Sequence, residues 1–349
     1  MNKFYLRIIF VATITVLTPS PGAEELIARG DGRYISTRSK AVAVAEENVK
    51  VQIQSVSGLS GRIEIVADRV SEAGFEFRKL IKAADEKTAE QYAGLVSVVI
   101  ESQPGVVRLL LKAPNPGPWG GTDNAVQIEG KLIVPLHSRL DIDCQYYDFS
   151  ITGPLAEVSA KPSFGRYQLS DISEKVNLIT TGGNISARDL KGDIIIKGEK
   201  ADLRVSGITA DKQARIANKG GDITMSDISG NIEVQNDYGK IKIDRARADE
   251  GHLKIFGEFC PIDLELASLD NARIIINNKN DNIKITLPDI SSVTFNLSVG
   301  ADSEIHVSKI PVLPGRIKPK YMELTAGDGR SVISADIKGV GDIIISGAK

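Results

Sequence analysis

The amino-acid sequence predicts an all-β chain, specifically a single-stranded β-solenoid in which coils of roughly 19 residues stack on one another, with an N-terminal β-rich capping region that contains one short helix. Three observations lead to this prediction: a long internal repeat, a shorter alternation of apolar residues inside it, and turn-forming residues between the apolar pairs. A sandwich of short antiparallel strands is the rival fold, but a sandwich does not require equivalent residues at a fixed period.

The repeat is clearest between two segments whose first residues are 38 positions apart. Gly182–Lys197 reads GGNISARDLKGDIIIK, and Gly220–Gln235 reads GGDITMSDISGNIEVQ. A degenerate third copy occupies residues 333–345. Each copy pairs apolar residues at positions i and i+2, such as Ile194 and Ile196, which alternation places on one face of a short strand. Asn, Asp and Gly lie between the pairs and accept the positive φ of tight corners.

Stacked coils also predict the state of the two cysteines. Coils repeat about every 4.8 Å, so Cys144 and Cys260 would lie on the order of 25 Å apart along the stack. A disulfide requires Cα atoms within about 7 Å. We therefore expect two separate, buried thiols that behave as small apolar side chains.

The N-terminus has the order of a secretory signal peptide over residues 1–23. Lys3 and Arg7 precede an apolar run from Ile8 to Leu17, and cleavage is expected near Ala23. The run is shorter than the roughly 20 residues that span a bilayer, although an uncleaved anchor stays open. The sequence thus predicts an exported chain, periplasmic, secreted or on the cell surface, with no transmembrane segment in its mature form. With 43 basic against 45 acidic residues and no basic block, nucleic acid is not an expected partner.

Residues 24–134 form the predicted capping region. Its one helix begins after Asp85 and covers residues 86–93. A Pro- and Gly-rich loop at residues 114–124 holds the single Trp119. The predicted strands are Val49–Ile53, Ile63–Ile65, Phe75–Ile81, Val96–Ile100, Val106–Leu111 and Val126–Val134.

The predicted repeat domain covers residues 135–349. It begins near Pro135, where strands at Leu140–Ile142 and Phe149–Ile151 start the regular pattern. Pro311, Pro314 and Pro319 interrupt this pattern near its end.

A family resemblance follows from the order of these motifs. A G-x-I-x-I strand starts at Gly61, a D-x-x-x-A-E helix at Asp85, and a V-P turn at Val134–Pro135 precedes a series of G-[D/N]-I-x-[I/V] repeats. This order resembles the bacterial family of predicted adhesins with a β-strand-repeat domain, which are exported or membrane-tethered proteins of unknown function, over residues 49–349. The resemblance implies a surface that binds and supplies no catalytic residues.

The polar residues that could carry chemistry recur with the repeat. Asp189 and Asp227 could act as a carboxylate pair on a polysaccharide, but they share one repeat position, which is typical of corner residues bonded to their own backbone. The three histidines, His137, His252 and His306, lack ligand spacing for zinc. The sequence leaves calcium binding open at the corners Asp222, Asn236–Asp237 and Asn280–Asn282. No catalytic, cofactor-binding or metal-binding residue is predicted.

Trp119 is the one candidate binding residue. An indole on a Pro- and Gly-rich loop can stack on a sugar ring, and the alternative is that it closes the core of the cap. Aromatic residues make up 5% of the chain, from which we expect no platform of several rings along the solenoid.

The predicted function is that of a non-enzymatic structural or adhesin-like protein, which presents a rigid surface for binding or scaffolding in the cell envelope. The first alternative is a sensing or accessory module that binds a ligand through the capping region. The second is a β-helical enzyme that acts on polysaccharide. An envelope polysaccharide or a protein is the expected partner, while its identity and the oligomeric state stay open.

Overall fold

The computed structural model describes residues 25–56, 58–288 and 292–347, which contain 27 β-strands and a single α-helix. The prediction of an all-β chain with one short helix is therefore confirmed. The predicted signal peptide of residues 1–23 lies outside the described residues. Within the described ranges, no helix has the length and apolar character needed to cross a bilayer.

The elements of the N-terminal part are β1 Leu26–Gly30, β2 Arg33–Ser36, β3 Ser39–Val44, β4 Lys50–Ser55, β5 Ser60–Asp68, β6 Glu72–Lys82, α1 Glu86–Leu95, β7 Ser97–Gln103, β8 Val106–Lys112 and β9 Ala125–Pro135. The elements that follow are β10 Arg139–Asp143, β11 Tyr147–Ser163, β12 Tyr167–Thr180, β13 Gly183–Lys191, β14 Asp193–Glu199, β15 Ala201–Lys219, β16 Ile223–Asp237, β17 Ile241–Asp249, β18 His252–Glu258 and β19 Ile262–Asp270. The last elements are β20 Arg273–Lys279, β21 Ile283–Leu287, β22 Val293–Ser298, β23 Ile305–Ser308, β24 Leu313–Lys318, β25 Tyr321–Ala326, β26 Ser331–Lys338 and β27 Ile343–Gly347.

Most strands pair in parallel with a strand that lies one turn of the chain later. Each such turn is one layer of the stack, and the paired strands form two ladders. The first ladder aligns one buried residue per layer: Tyr167, Ile185, Leu203, Ile223, Ile241, Ile262, Ile283 and Ile343. The second ladder aligns another: Val158, Val176, Ile194, Ala214, Ile232, Leu253, Ile274 and Ile333. Between Tyr167 and Ile283, the steps of the first ladder are 18 to 21 residues.

The 38-residue sequence repeat corresponds to two of these steps. Ile194 is in register with Ala214, and Ala214 is in register with Ile232, so both isoleucines stand in one column, two layers apart. All three side chains are buried. A single layer has no partner for its apolar face, whereas stacked layers bury a continuous core, and this explains why the motif recurs.

The N-terminal part extends both ladders and then ends them with antiparallel strands. β4 pairs in parallel with β10 and β8, while β5 pairs in parallel with β11 and β9. Beyond these, β6 is antiparallel to β9 and β7 is antiparallel to β8. Helix α1 connects β6 to β7 and begins as predicted, because the Asp85 side chain accepts the backbone N–H of Thr88 at 2.7 Å.

The C-terminal end of the ladders contains an excursion of the chain. β22 leaves the regular order and pairs with β26 on one side and antiparallel with β25 on the other. β24 then forms the outer strand against β25. Pro314 lies in this outer strand, where a residue without an N–H is tolerated, so the prolines that interrupt the repeat mark a chain that turns back.

The two cysteines are free and buried, as predicted. Cys144 is 3% exposed and Cys260 is fully buried.

The closeness of the layers is testable at Gly165. A Cβ there would lie 1.6 Å from the carbonyl oxygen of Tyr147 in the neighbouring layer. We expect Gly165→Ala to destabilise the chain by about 1–3 kcal/mol in urea unfolding, because a layer must shift to relieve the overlap. Gly94→Ala is the matched control, since no atom lies within 4 Å of a Cβ at that position of α1. Equal stabilities for the two variants would contradict this packing.

Candidate functional site

One corner of the stacked layers, just before each strand of the first ladder, carries side chains in a single row. We call this row the aromatic corner. Strand register and backbone bonds align its members, since the N–H of Tyr238 donates to Glu258 O at 3.0 Å and the N–H of Phe259 donates to Lys279 O at 2.8 Å. The eight residues of the aromatic corner are Tyr146, Phe164, Gly182, Lys200, Gly220, Tyr238, Phe259 and Asn280.

Four aromatic rings in this row form two stacked pairs. In the first ring pair, the centroids of Tyr146 and Phe164 are 5.2 Å apart and the ring planes differ by 11°. In the second ring pair, Tyr238 and Phe259 are 5.5 Å apart with planes that differ by 8°. These residues are 45–57% exposed, and in the described part of the chain they are the only exposed aromatic residues.

Three of the four rings stand on backbone of left-handed conformation. The φ angles are 60° at Tyr146, 59° at Tyr238 and 49° at Phe259. Gly182 and Gly220 occupy the same corner with φ of 112° and 77°. A side chain in this conformation costs about 1–2 kcal/mol relative to the right-handed region, and glycine avoids most of that cost. Lys200 and Asn280 in the same row also adopt it, with φ of 53° and 58°, so the left-handed turn recurs from layer to layer, and the exposed rings are what distinguishes this row.

Buried asparagines hold the corner in shape from inside. The side-chain amide of Asn236, in the layer of Tyr238, donates to Gly221 O at 2.9 Å. The amide of Asn278 donates to Cys260 O at 2.9 Å and to Asp281 O at 3.0 Å, across the turn that holds Asn280. Because each amide ties its turn to a neighbouring backbone segment, the ring positions are fixed by buried hydrogen bonds.

Cys260 lies directly behind the second ring pair. Its sulfur is 3.7 Å from the side-chain nitrogen of Asn236. Burial raises the pKa of the Cys260 thiol to about 12, and burial also raises the pKa of Cys144. Both sulfurs therefore remain protonated, packed groups at neutral pH.

An open stretch separates the two ring pairs. Phe164 and Tyr238 are four layers apart, which corresponds to about 19 Å at the strand spacing of a sheet. The positions between them are Gly182, Lys200 and Gly220. The two glycines place no side chain on the surface of this stretch. Among the described residues, Lys200 forms no ion pair within 4.0 Å.

The far side of the second ring pair is covered by a charged pair. The Lys279 nitrogen lies 6.0 Å from the centroid of Phe259 and 2.6 Å from a carboxylate oxygen of Glu258. The hydrogen bond from Lys279 to Glu258 raises the pKa of that lysine. The Tyr238 ring of the pair thus lies toward the open stretch, with the charged pair behind Phe259.

The sequence leaves calcium binding open at several Asp and Asn residues of the corners. In the structure, some of these side chains accept backbone hydrogen bonds. Asp222 accepts the N–H of Lys240 at 2.9 Å, and Asn282 accepts the N–H of Asp342 at 2.8 Å, each from the next layer. In the part of the chain covered by the structure, no group of three or more His, Cys, Asp and Glu residues is placed to hold a metal ion.

Asp189 and Asp227 occupy equivalent left-handed corners, with φ of 55° and 54°, two layers apart and with Gly207 between them. The predicted bond to their own backbone is not what Asp227 makes. Its carboxylate instead forms two hydrogen bonds with Arg245, at 2.8 and 2.5 Å, and this contact lowers the pKa of Asp227.

Trp119, the candidate from the sequence, is 5% exposed. Its indole N–H donates to Gly58 O at 2.8 Å, and its ring meets the Tyr92 ring edge-on with centroids 5.5 Å apart. The ring therefore lies in the core of the N-terminal part, as the alternative to sugar stacking predicts, and offers no open face to a sugar.

The expectation that no platform of several rings exists is wrong. Composition gives the number of aromatic residues, but only the layer register shows that four of them share one corner. A signal was present in the repeat itself: Tyr238 stands one layer after Gly220, and Phe164 one layer before Gly182, at the same turn position. The sequence signal of this row is therefore a large residue at a turn position that suits glycine.

Comparison with known proteins confirms the family resemblance for the central part of the chain. Residues 148–268 match the family model described as Toastrack DUF4097. This segment contains six positions of the aromatic corner, from Phe164 to Phe259. No curated protein shows significant similarity to the chain.

Several solved structures align with most of the chain at low similarity. A structure of a proposed adhesin from Parabacteroides distasonis has 12% identity over 89% of this chain and 97% of its own, with a TM-score of 0.33. A proposed adhesin from Bacteroides fragilis has 11% identity over 89% and 97%, with a TM-score of 0.30. A proposed cell adhesion protein from Clostridium sporogenes has 10% identity over 89% and 100%, with a TM-score of 0.21. Scores this low support no inference about the present chain.

Replacing Tyr238 with glycine tests whether the ring serves stability. Tyr238→Gly relieves about 1 kcal/mol of backbone strain and loses about 0.5–1.5 kcal/mol of ring stacking with Phe259. We therefore expect a free energy of unfolding within about 1 kcal/mol of the parent in urea titrations. Phe295→Ala is the comparison, because Phe295 is fully buried and its loss should cost about 3–5 kcal/mol. A loss of more than about 2 kcal/mol for Tyr238→Gly would show that the ring is structural.

The buried thiols give a second prediction. At pH 8, a thiol reagent such as dithionitrobenzoate should leave Cys144 and Cys260 unmodified in the folded chain and modify both in urea. The folded pKa of Cys260 is raised above its ordinary value of 9.0 to about 12, so its stabilising contribution is complete below pH 9 and is lost as the pH rises toward 12. Between pH 9 and pH 12, the free energy of unfolding should therefore fall less for Cys260→Ala than for the parent chain. Rapid labelling of the folded chain would contradict the burial.

Proposed function

We propose that this chain is an exported, non-enzymatic protein of the cell envelope that binds its partner through the aromatic corner. The observation that carries the proposal is the row of four exposed rings, three of them on left-handed backbone where glycine would fit with less strain. A surface row that costs stability needs a benefit outside folding, and contact with a partner supplies one.

The stacked layers suit this role because they hold the corner rigidly. We propose that the two parallel ladders wind as a β-solenoid, in which each layer is hydrogen-bonded to the layers above and below. Binding groups on regular strands and braced turns are positioned more accurately than groups on free loops. The corner would then act as a preformed surface that orders little on binding.

Export and domain organisation are part of the same proposal. The charged and apolar order of residues 1–23 supports a signal peptide, and cleavage near Ala23 would release the chain to the periplasm or the cell surface. We further propose that residues 24–134 form a cap on the ladder and that residues 135–349 form the repeat domain that carries the corner.

The alternative functions find less support in the geometry. The capping region was the expected ligand site of a sensing module, but Trp119 there is packed in the core. A polysaccharide-active enzyme needs an acid and a base that break the repeat. The acidic pair considered for that role, Asp189 and Asp227, instead stands at one recurring corner position.

The proposal predicts retention of the mature chain on an insoluble bacterial cell-envelope fraction. We expect the parent to cosediment with it and the double variant Tyr238→Gly/Phe259→Gly to bind about tenfold more weakly, because two ring contacts of about 0.5–1.5 kcal/mol each are lost. No soluble sugars or peptides should be released. Val44→Ala is the control, since Val44 is 76% exposed and lies far from the corner in β3.

Three results would overturn the proposal. These are a parent chain that stays in the supernatant, a double variant that sediments like the parent, and release of soluble products by the parent but not by heat-inactivated protein.

A further inference from the structure

We infer that the partner of the aromatic corner is a linear polysaccharide, one chain of which lies along the row and contacts both ring pairs. The inference rests on the proposed function and adds the class of ligand. It follows from the width of the row, the spacing of its rings and the open stretch between the pairs.

The width of the row argues for a thin ligand. The apolar surface is one residue wide, and polar residues flank it, among them the paired Glu258 and Lys279. A stable protein partner would cover about 800 Å² with a broad apolar centre, which this row does not provide. Single-stranded nucleic acid also stacks on rings, but it requires a positively charged groove. The row contains one charged side chain, Lys200, and the whole chain has a net charge of −2.

The ring spacing fits a chain of pyranose units. The centroids within each pair are 5.2 and 5.5 Å apart, close to the spacing of strands in a sheet. An extended polysaccharide advances by a similar length for each sugar, so successive units can meet successive rings. Each unit has hydroxyl groups at its rim and an apolar C–H face. Because the two rings of a pair stack on each other, this face packs against the ring edges and the uncovered ring faces that the pair exposes. Those hydroxyls can accept from the Lys200 ammonium and bond to the polar flanks.

The distance between the pairs requires a ligand of some length. Seven corner positions lead from Tyr146 to Phe259, so a chain of about seven units at one unit per layer would touch both pairs. Gly182 and Gly220 add no side chain to the path between the pairs, where the Phe164 ring lies beside Gly182 and the stem of Lys200 lies beside Gly220. The layers fix the two ring pairs relative to each other. Binding of a sugar chain at one ring pair therefore raises the effective concentration of that sugar chain at the other ring pair.

The test is a size series of oligosaccharides, measured by calorimetry on the mature chain. We would use cello-oligosaccharides and chito-oligosaccharides of about two to eight units, together with alginate fragments as an acidic series. In at least one series, we expect affinity to rise by about 100-fold between short members that reach one ring pair and long members that reach both. In Tyr238→Gly/Phe259→Gly, long and short members should bind alike, because only the first ring pair remains. Val44→Ala should behave as the parent.

The outcomes separate the inference from the function on which it rests. If no series shows the length-dependent gain, or if the double variant keeps it, the inference is wrong. If the sugars fail while envelope binding still depends on the rings, the proposed function stands and the partner is another molecule. If sedimentation equilibrium shows that the rings hold two copies of the chain together, the corner is a self-association surface and the inference is again wrong. If envelope binding does not depend on the rings either, both proposals fall.

Discussion

Parallel hydrogen-bonded register between successive layers is the constraint on which the rest of the molecule depends. Once Ile185 is fixed opposite Leu203, residues 183–191 of β13 are fixed opposite residues 201–209 of β15. Apolar residues then fall into buried columns, and side chains of the turns fall into exposed rows. The core, the asparagine-braced corners and the aromatic corner are three consequences of one register, so a slip by one residue would disrupt all three.

The aromatic corner shows how such a register can serve recognition at a local cost. Gly182 and Gly220 adopt the corner conformation with little strain, whereas Tyr238 and Phe259 adopt it at a penalty. Stacking between neighbouring rings and the hydrogen bond from the Asn236 side-chain amide offset part of that penalty. The chain thus keeps strained aromatic corners in some layers and relaxed glycine corners in others, and the alternation produces two separated contact points.

Much of the fold could be predicted because the responsible signals are local or periodic. The N-cap residue Asp85 predicts the start of the helix, and the isoleucines at positions i and i+2 predict the buried columns of the core. The strands β1 to β3 were missed, since they have no repeat and pair antiparallel with β6 and with each other. The aromatic corner was missed for a different reason: its rings are 18 and 21 residues apart within a pair, and only the exact layer lengths align them. The sequence leaves open whether Trp119 stacks on a sugar or closes the core, and the structure shows the second, since a single tryptophan has more to gain from burial.

The excursion at the C-terminal end has a consequence for how the stack can be assembled. β26 lies between β20 and β22, and β27 lies between β21 and β23, although both are synthesised after β22 and β23. The layers up to that of Ile283 follow one another in chain order, so each can pair with the layer before it. The parallel partners of β22 and β23 come later in the chain: β22 can pair with β25 first, but β26 and β27 take their places only once residues 331–347 are available. The outermost strands of the stack are therefore not the last in the sequence, and this end cannot be completed by adding strands in chain order.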